Sequence, residues 1–101
     1  MKKRRKRYLL FRLHGEESIT RKELSQKIWK NLLSIYGETT AADSRFYLNE
    51  FHNKLGIGVL QCDERILTKI ITAASLIDAI DENLVAFQPL KTSGTLKALE
   101  K

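Results

Sequence analysis

Residues 8–13, Tyr-Leu-Leu-Phe-Arg-Leu, set the architecture expected for this chain. The apolar side chains at positions 9, 11 and 13 point to one side of an extended backbone, because side chains alternate along a strand. Tyr8, Leu10 and Arg12 point to the other side. The alternation predicts a β-strand with one fully apolar face and one mixed face.

A helix is predicted after this strand. Thr20 and Glu23 have the spacing of a capping box, in which the two side chains accept from each other's backbone N–H groups at a helix start. Gly37 is a suitable terminator, because glycine tolerates a positive φ. The apolar stripe expected to face the core recurs at three- and four-residue spacing, as Leu24, Ile28, Leu32 and Ile35.

The remaining elements are predicted from alternation, turn residues and caps. A polar loop is expected at 38–43, and strands are expected at 44–52 and 57–62 with a turn between them. Asp63 is the expected N-cap of a helix over 64–79. A fourth strand is expected at 84–88, ended by Pro89, and it is followed by a connection at 90–94 and a helical turn or two at 95–101.

The order of elements is β-α-β-β-α-β with a short C-terminal helix. Two right-handed crossovers in this order predict an α+β, ferredoxin-like sandwich, in which two helices cover one face of a four-stranded antiparallel sheet. The length of 101 residues suits a single domain. We expect a basic arm at 1–7, the sandwich at 8–90, and a loop with the terminal helix at 91–101.

The net charge of the chain lies in its first seven residues. The chain has 18 Lys and Arg against 12 Asp and Glu, a formal net charge of +6, and six of the basic residues occupy positions 2–7. Removing those six leaves 12 of each sign. Such an arm favours contact with a polyanion, because neutralised phosphates release counterions. A solvated tail is the alternative interpretation.

Two further segments could carry phosphate contacts. Ser93 and Gly94 precede a predicted helix start, where backbone N–H groups favour anions, and basic residues lie nearby. Lys22, Lys27 and Lys30 form a second basic strip on the predicted first helix, for which a solvated helix face is the commoner explanation. The predicted RNA-binding residues are Lys2, Lys3, Arg4, Arg5, Lys6, Arg7, Lys91, Ser93, Gly94 and Lys97.

The usual sheet platform for single-stranded RNA is not expected. RNA-recognition motifs stack bases on aromatic residues of the first and third strands, and the predicted third strand, 57–62, contains no aromatic residue. The second face of the sheet would still expose Tyr8, Leu10, Tyr47 and Phe51. That face is more apolar than a free surface, so either the terminal helix or a partner protein is expected to cover it.

Candidate catalytic groups are few. His14 and His52 do not have a metal-ligand spacing, and the single cysteine, Cys62, allows neither an internal disulfide nor a cysteine-based metal site. A metal-free nuclease that uses the two histidines as base and acid is one alternative function. A general nucleic-acid-binding module that uses the arm alone is another. No membrane span or secretory signal is expected, which favours a reducing intracellular compartment.

Three segments together resemble the family of ribonuclease P protein component 2. They are Arg7-Tyr8-Leu9-Leu10-Phe11, then Gly56-Ile57-Gly58-Val59-Leu60-Gln61-Cys62, and then Thr92-Ser93-Gly94-Thr95-Leu96-Lys97-Ala98-Leu99. The order and spacing of these segments cover essentially the whole chain. The resemblance implies a ferredoxin-like fold, in agreement with the element order above.

The resemblance also implies a function. It implies an RNA-binding subunit of the ribonucleoprotein that removes the 5′ leader from precursor tRNA, cytoplasmic or, in a eukaryote, nuclear and nucleolar. Cleavage is expected to be carried by the ribonuclease P RNA and its Mg²⁺, with no cofactor on the protein and no catalytic residue to assign. The implied partners are that RNA, precursor tRNA, protein component 3 and other protein subunits. Family members often have a longer terminal helix, and roles of that extension are not carried over.

Overall fold

The computed structural model describes residues 5–15, 19–80 and 82–99. Its strands are β1 (Lys6–His14), β2 (Tyr47–His52), β3 (Ile57–Asp63), β4 (Ala79–Ile80), β5 (Asn83–Leu84) and β6 (Ala86–Ser93). Its α-helices are α1 (Arg21–Tyr36), α2 (Glu38–Asp43), α3 (Leu67–Ser75) and α4 (Leu96–Leu99), and a 3₁₀ turn, Glu64–Ile66, precedes α3.

The main sheet has four strands in the order β2-β3-β1-β6, and each neighbouring pair is antiparallel. This order places β1 and β3 at the centre and gives the ferredoxin-like arrangement. The predicted α+β fold and the short C-terminal helix are therefore confirmed. β4 and β5 form a separate two-stranded hairpin between α3 and β6.

One face of the sheet forms the core with α1 and α3. β1 contributes Leu9, Phe11 and Leu13 to it, as the alternation predicts. The Phe11 ring stacks on Phe87 at a centroid distance of 4.8 Å. Gly58 makes room for the Phe11 ring, because a Cβ at that position would lie 2.6 Å from Cζ of Phe11.

The capping box of α1 is present: the Glu23 N–H donates to Oγ1 of Thr20 at 3.1 Å, and the Thr20 N–H donates to the Glu23 carboxylate at 3.0 Å. Leu24, Ile28 and Leu32 are fully buried. Ile35 is 45% exposed, so its predicted place in the core was wrong. It lies in the last turn of α1, next to the break at Gly37, and extends past the packed part of the helix.

The predictions for residues 38–47 were wrong in two respects. Residues 38–43 form α2, not a polar loop, and Gly37 separates α2 from α1 with a φ of +91°. The buried Ser44 ends α2, because its hydroxyl donates to the Ala41 carbonyl at 2.6 Å and accepts from the Phe46 N–H at 3.2 Å. This turn delays β2 until Tyr47, three residues later than predicted.

The last strand also differs from its prediction. Pro89 does not end it: β6 continues to Ser93, so Lys91 and Ser93 are strand residues and not part of a connection. Proline is tolerated here because β6 is an edge strand, with only β1 beside it. The register with β1 shifts opposite Leu10 and Phe11, where Leu90 is the extra residue of a bulge.

Candidate nucleic-acid interface

The basic segment at the start of the chain is partly built into the sheet. β1 begins at Lys6, two residues before the predicted start, and Lys6 and Arg7 pair with Asp63 and Cys62 of β3. The Arg5 carbonyl accepts from the Glu64 N–H at 2.8 Å. Lys2, Lys3 and Arg4 lie outside the described residues. The cations at positions 5–7 are therefore held by backbone pairing at fixed places.

Arg5, Lys6 and Arg7 line a shallow groove together with Tyr8, Glu64 and Gly94. The Arg7 guanidinium lies against Gly94, and a Cβ on that glycine would be 3.6 Å from Nη1 of Arg7. We call this surface the Arg7–Gly94 groove. It brings together two segments that were predicted separately to bind RNA. Their meeting follows from the pairing of Tyr8 with Ser93 across β1 and β6.

The segment after Gly94 is organised by its own hydroxyl groups. Oγ of Ser93 accepts from the Thr95 N–H at 3.2 Å, and Oγ1 of Thr95 accepts from the Ala98 N–H at 3.2 Å. Thr95 thereby caps the start of α4. Gly94 and Lys97 are both exposed.

Lys91 has a structural contact as well as its predicted RNA contact. Its Nζ donates to the Ala98 carbonyl at 3.1 Å. A cation at the end of a helix satisfies carbonyl groups that lack intrahelical partners. Lys91 is a residue of β6, so this hydrogen bond holds α4 against β6.

The C-terminal helix covers part of the second sheet face. α4 contacts β1 and β6, and Leu99 is 7% exposed. Val59 of β3, which pairs with Leu10, is 6% exposed although it points away from the helix side of the sheet. Leu96 remains 42% exposed. The sequence analysis expected either the terminal helix or a partner protein on this face. The terminal helix is observed there, and it covers part of the face.

Phe51 was predicted on the second face of the sheet, and this prediction was wrong. The register of β2 on β3 shifts between Leu48 and Glu50, so Asn49 is an extra residue and the alternation reverses after it. Phe51 therefore pairs with Gly58 and stacks near Phe11 at a centroid distance of 6.2 Å. A bulge of this kind leaves no reliable mark in the sequence.

Tyr47, Gln61, Tyr8 and Ser93 lie in one row across the four strands, by the pairing of β2 with β3, β3 with β1 and β1 with β6. Tyr47 is 55% exposed at the outer end of this row. Its hydroxyl accepts from the Arg21 guanidinium at 3.0 Å, and the guanidinium lies 5.4 Å from the ring centroid. No local sequence signal points to Arg21, because the pair joins the start of α1 to a distant strand.

The two histidines have separate partners. Nε2 of His14 lies 2.8 Å from Oε1 of Gln88, and Nε2 of His52 lies 3.7 Å from a Glu50 carboxylate oxygen. Across residues 5–15, 19–80 and 82–99, no three His, Cys, Asp or Glu side chains gather as a metal site. Among the same residues, no helix is long and apolar enough to cross a membrane.

Cys62 is a core residue of β3 that is 1% exposed. Burial and, to a smaller extent, the neighbouring Asp63 carboxylate raise the pKa of its thiol from 9.0 to about 12, against the opposing effect of Arg7. The thiol is therefore protonated at neutral pH. A protonated, buried thiol is a poor nucleophile.

The chain is similar in sequence to known proteins. The sequence model of the Rpp14/Pop5 family matches residues 7–101. Ribonuclease P protein component 2 of Archaeoglobus fulgidus is 33% identical over 97 residues, which cover 96% of this chain and 86% of that protein. The protein of the same name from Pyrococcus furiosus is 28% identical over 97 residues, covering 96% of this chain and 81% of its own length.

A solved structure shares the fold. One chain of a cryo-EM structure of yeast ribonuclease MRP superposes with a TM-score of 0.70 at 12% sequence identity, covering 95% of this chain and 79% of that one. At this identity the likeness concerns the fold alone. The family-model match, in contrast, is a match in sequence and spans residues 7–101, which leaves Arg5 and Lys6 of the groove outside it. The chain belongs to the Rpp14/Pop5 family.

Proposed function

We propose that this chain is an RNA-binding protein subunit of ribonuclease P, which supports a catalytic RNA in removing the 5′ leader from precursor tRNA. Its relatives in several archaea carry the name ribonuclease P protein component 2. The observation that carries the proposal is the Arg7–Gly94 groove, which gathers three consecutive cations and an exposed glycine backbone on one rigid edge of the domain.

In this proposal the groove receives phosphates of the RNA. Arg5 and Arg7 present guanidinium groups, which match the geometry of phosphate oxygens. Gly94 leaves the backbone open to close approach, since it has no side chain. Lys97 lies on the exposed side of α4 and is a further phosphate contact in this proposal, as are Lys2, Lys3 and Arg4 of the basic arm. These contacts carry no base specificity, so the RNA is recognised by shape and phosphate position.

The chemistry is assigned to the RNA and its Mg²⁺, not to this chain. His14 and His52 each have a neighbour of their own, and the Cys62 thiol is buried and protonated. The contribution of the protein is electrostatic: cationic side chains replace part of the Mg²⁺ that otherwise screens repulsion between phosphates. The partners are the ribonuclease P RNA, precursor tRNA, component 3 and other protein subunits.

The test is cleavage of precursor tRNA by the RNA reconstituted with the other protein subunits, with and without this chain, over a range of Mg²⁺ concentrations. We expect the chain to lower the Mg²⁺ concentration at which the 5′ leader is removed. Cleavage that is unchanged without the chain at every Mg²⁺ concentration would overturn the proposal. So would cleavage of RNA by the isolated chain that His14→Ala or His52→Ala abolishes.

Matched variants connect the test to the groove. The double change Arg5→Gln and Arg7→Gln removes two of the proposed phosphate contacts, so the log–log dependence of RNA binding on salt should become shallower by about 1.4 on single-stranded RNA. Lys54→Gln removes an exposed cation from the turn between β2 and β3 and is the control. Equal salt dependence in the two proteins would show that the groove is not the contact surface.

A further inference from the structure

The outward face of α1 exposes two large apolar side chains. Trp29 is 40% exposed and Leu33 is 36% exposed. Lys22, Gln26, Trp29 and Leu33 follow one another at four-, three- and four-residue steps, so they lie in one line along the helix. Trp29 is also the single tryptophan of the chain. This line is on the far side of α1 from the buried Leu24, Ile28 and Leu32.

The same helix is the basic part of the folded domain. α1 contains Arg21, Lys22, Lys27 and Lys30 but one acidic residue, Glu23, whose carboxylate accepts from the Thr20 N–H. Residues 8–101 hold 12 basic and 12 acidic residues, so outside α1 this stretch has eight basic and eleven acidic. The positive charge of the domain behind the arm is therefore concentrated on one helix.

A second exposed aromatic side chain adjoins the N-terminal end of this line. Arg21 donates to Oη of Tyr47 and to the Leu48 carbonyl, which fixes its guanidinium beside the Tyr47 ring. Between α1 and β2 this leaves a groove that is lined by Arg21, Lys22, Ser25, Gln26, Tyr47 and Leu48. Arg21 and Trp29 are about 12 Å apart along the helix axis, at a rise of about 1.5 Å per residue.

We propose that the outward face of α1, together with Tyr47, binds a single-stranded segment of RNA, with unpaired bases stacked on Trp29 and Tyr47 and phosphates at Arg21, Lys22 and Lys30. The inference rests on the proposed function, because it assigns a second surface to the same RNA-binding role. This surface runs from the outward face of α1 to the outer edge of β2, apart from the Arg7–Gly94 groove. The segment must be unpaired, since a duplex presents phosphates but not the faces of its bases.

Charge and composition favour RNA over a protein as the occupant. Lysine is depleted in protein–protein interface cores, whereas aromatic side chains interleaved with cations are typical of single-strand platforms. Tyr47 and Trp29 would each stack one base, and the fixed guanidinium of Arg21 adds a cation beside the first of them. A protein partner at this face is an outcome of the test below.

Tryptophan fluorescence gives a direct readout, because Trp29 alone produces it. The probe is a ten-nucleotide oligouridylate, and the comparison is a ten-base-pair RNA duplex. We expect the single strand to quench the emission of the full chain and the duplex to leave it nearly unchanged. Trp29→Leu should weaken binding of a labelled oligouridylate roughly 5- to 100-fold, and Trp29→Phe should restore part of the loss.

The contribution of Lys22 and Lys30 is tested separately from that of the Trp29 ring. The double change Lys22→Gln and Lys30→Gln should make the log–log salt dependence of oligouridylate binding shallower by about 1.4, with Lys54→Gln as the control. The inference is overturned if the oligouridylate does not quench Trp29, if the duplex quenches it equally, or if Trp29→Leu binds as tightly as Lys54→Gln. It is also overturned if Trp29 is protected by the other protein subunits and not by RNA.

These outcomes are separable from failure of the proposed function. If reconstituted cleavage depends on the chain but Trp29 is not quenched, then the α1 surface is wrong and the subunit role stands. If cleavage does not depend on the chain, the subunit role fails whatever the fluorescence shows.

Discussion

The two faces of the four-stranded sheet are made by the same strands but differ in what covers them. On the helix side, Leu9 and Phe11 are fully buried under α1 and α3. On the other side, Tyr8 and Leu10 are partly exposed and the four-residue helix α4 is the cover. The difference indicates that stability resides mainly on the helix side, whereas the other side tolerates change and is available for recognition.

Truncation of Phe11 is the strongest test of this difference in stability between the two faces. Phe11→Ala should lower the free energy of unfolding by about 3–5 kcal/mol, because it leaves a cavity between Phe87 and Phe51. Tyr8→Ala, on the same strand but the opposite face, should cost less than about 1 kcal/mol. Urea denaturation measures both. Similar losses for the two variants would show that the faces do not differ as described.

The next largest difference in stability is expected between Phe51 and Tyr47, which lie on either side of the β2 bulge. Phe51→Ala should cost about 2–3 kcal/mol, since the bulge turns Phe51 toward the core and its ring stacks near Phe11. Tyr47→Ala, four residues earlier, should cost under about 1 kcal/mol. Without the bulge the two side chains would share one face. Equal losses of stability would therefore argue against the reversal of alternation at Asn49.

Packing of α4 on the second face should contribute less to the free energy of unfolding than packing of α1 and α3 on the helix side. Leu99→Ala should lower the free energy of unfolding by about 1–2 kcal/mol, because Leu99 is buried against the sheet. Leu96→Ala is the matched control and should cost less than about 0.5 kcal/mol, since Leu96 is largely exposed. Thermal denaturation of the two variants tests the difference. A larger effect from Leu96 would mean that the helix docks through its other side.

The effect that is smallest near neutral pH, where it vanishes, concerns Cys62 on the helix side of the sheet. The pKa of Cys62 is about 12 in the folded chain, above its ordinary value of 9.0, so the unfolded chain loses this proton first as pH rises. Stability should therefore fall from about pH 9 upward, by at most about 1.4 kcal/mol per pH unit from this group. Cys62→Val should make the decline shallower. An unchanged pH dependence of urea denaturation would contradict burial of the thiol.

Local signals in the sequence were sufficient for much of the fold. Alternation in β1, the capping box at Thr20 and Glu23 and the N-cap at Asp63 each depend on a few neighbouring residues, and all three are present. Errors arose where distant contacts decide the conformation. Phe51 was assigned to the wrong face because a bulge reversed the alternation, and Pro89 was expected to end a strand that an edge position allows to continue.

The candidate site could be predicted in parts but not as a whole. Arg5, Lys6, Arg7 and Gly94 were each expected to contact RNA, but their shared groove follows from pairing between strands that are far apart in sequence. The contacts of Arg21 could not be predicted for the same reason, since its partners Tyr47 and Leu48 lie on another element. Composition identifies a basic helix; it does not say which aromatic ring the helix will meet.

The edge strands have a consequence for self-association. β2 and β6 leave one side of their backbones unpaired, and such edges can recruit further strands into an open-ended sheet. Each edge is interrupted: β2 has its bulge at Asn49, and β6 has Pro89, which lacks an N–H, beside the bulge at Leu90. Neither edge offers an unbroken row of donors and acceptors. Fibre growth by strand addition to the main sheet is therefore disfavoured.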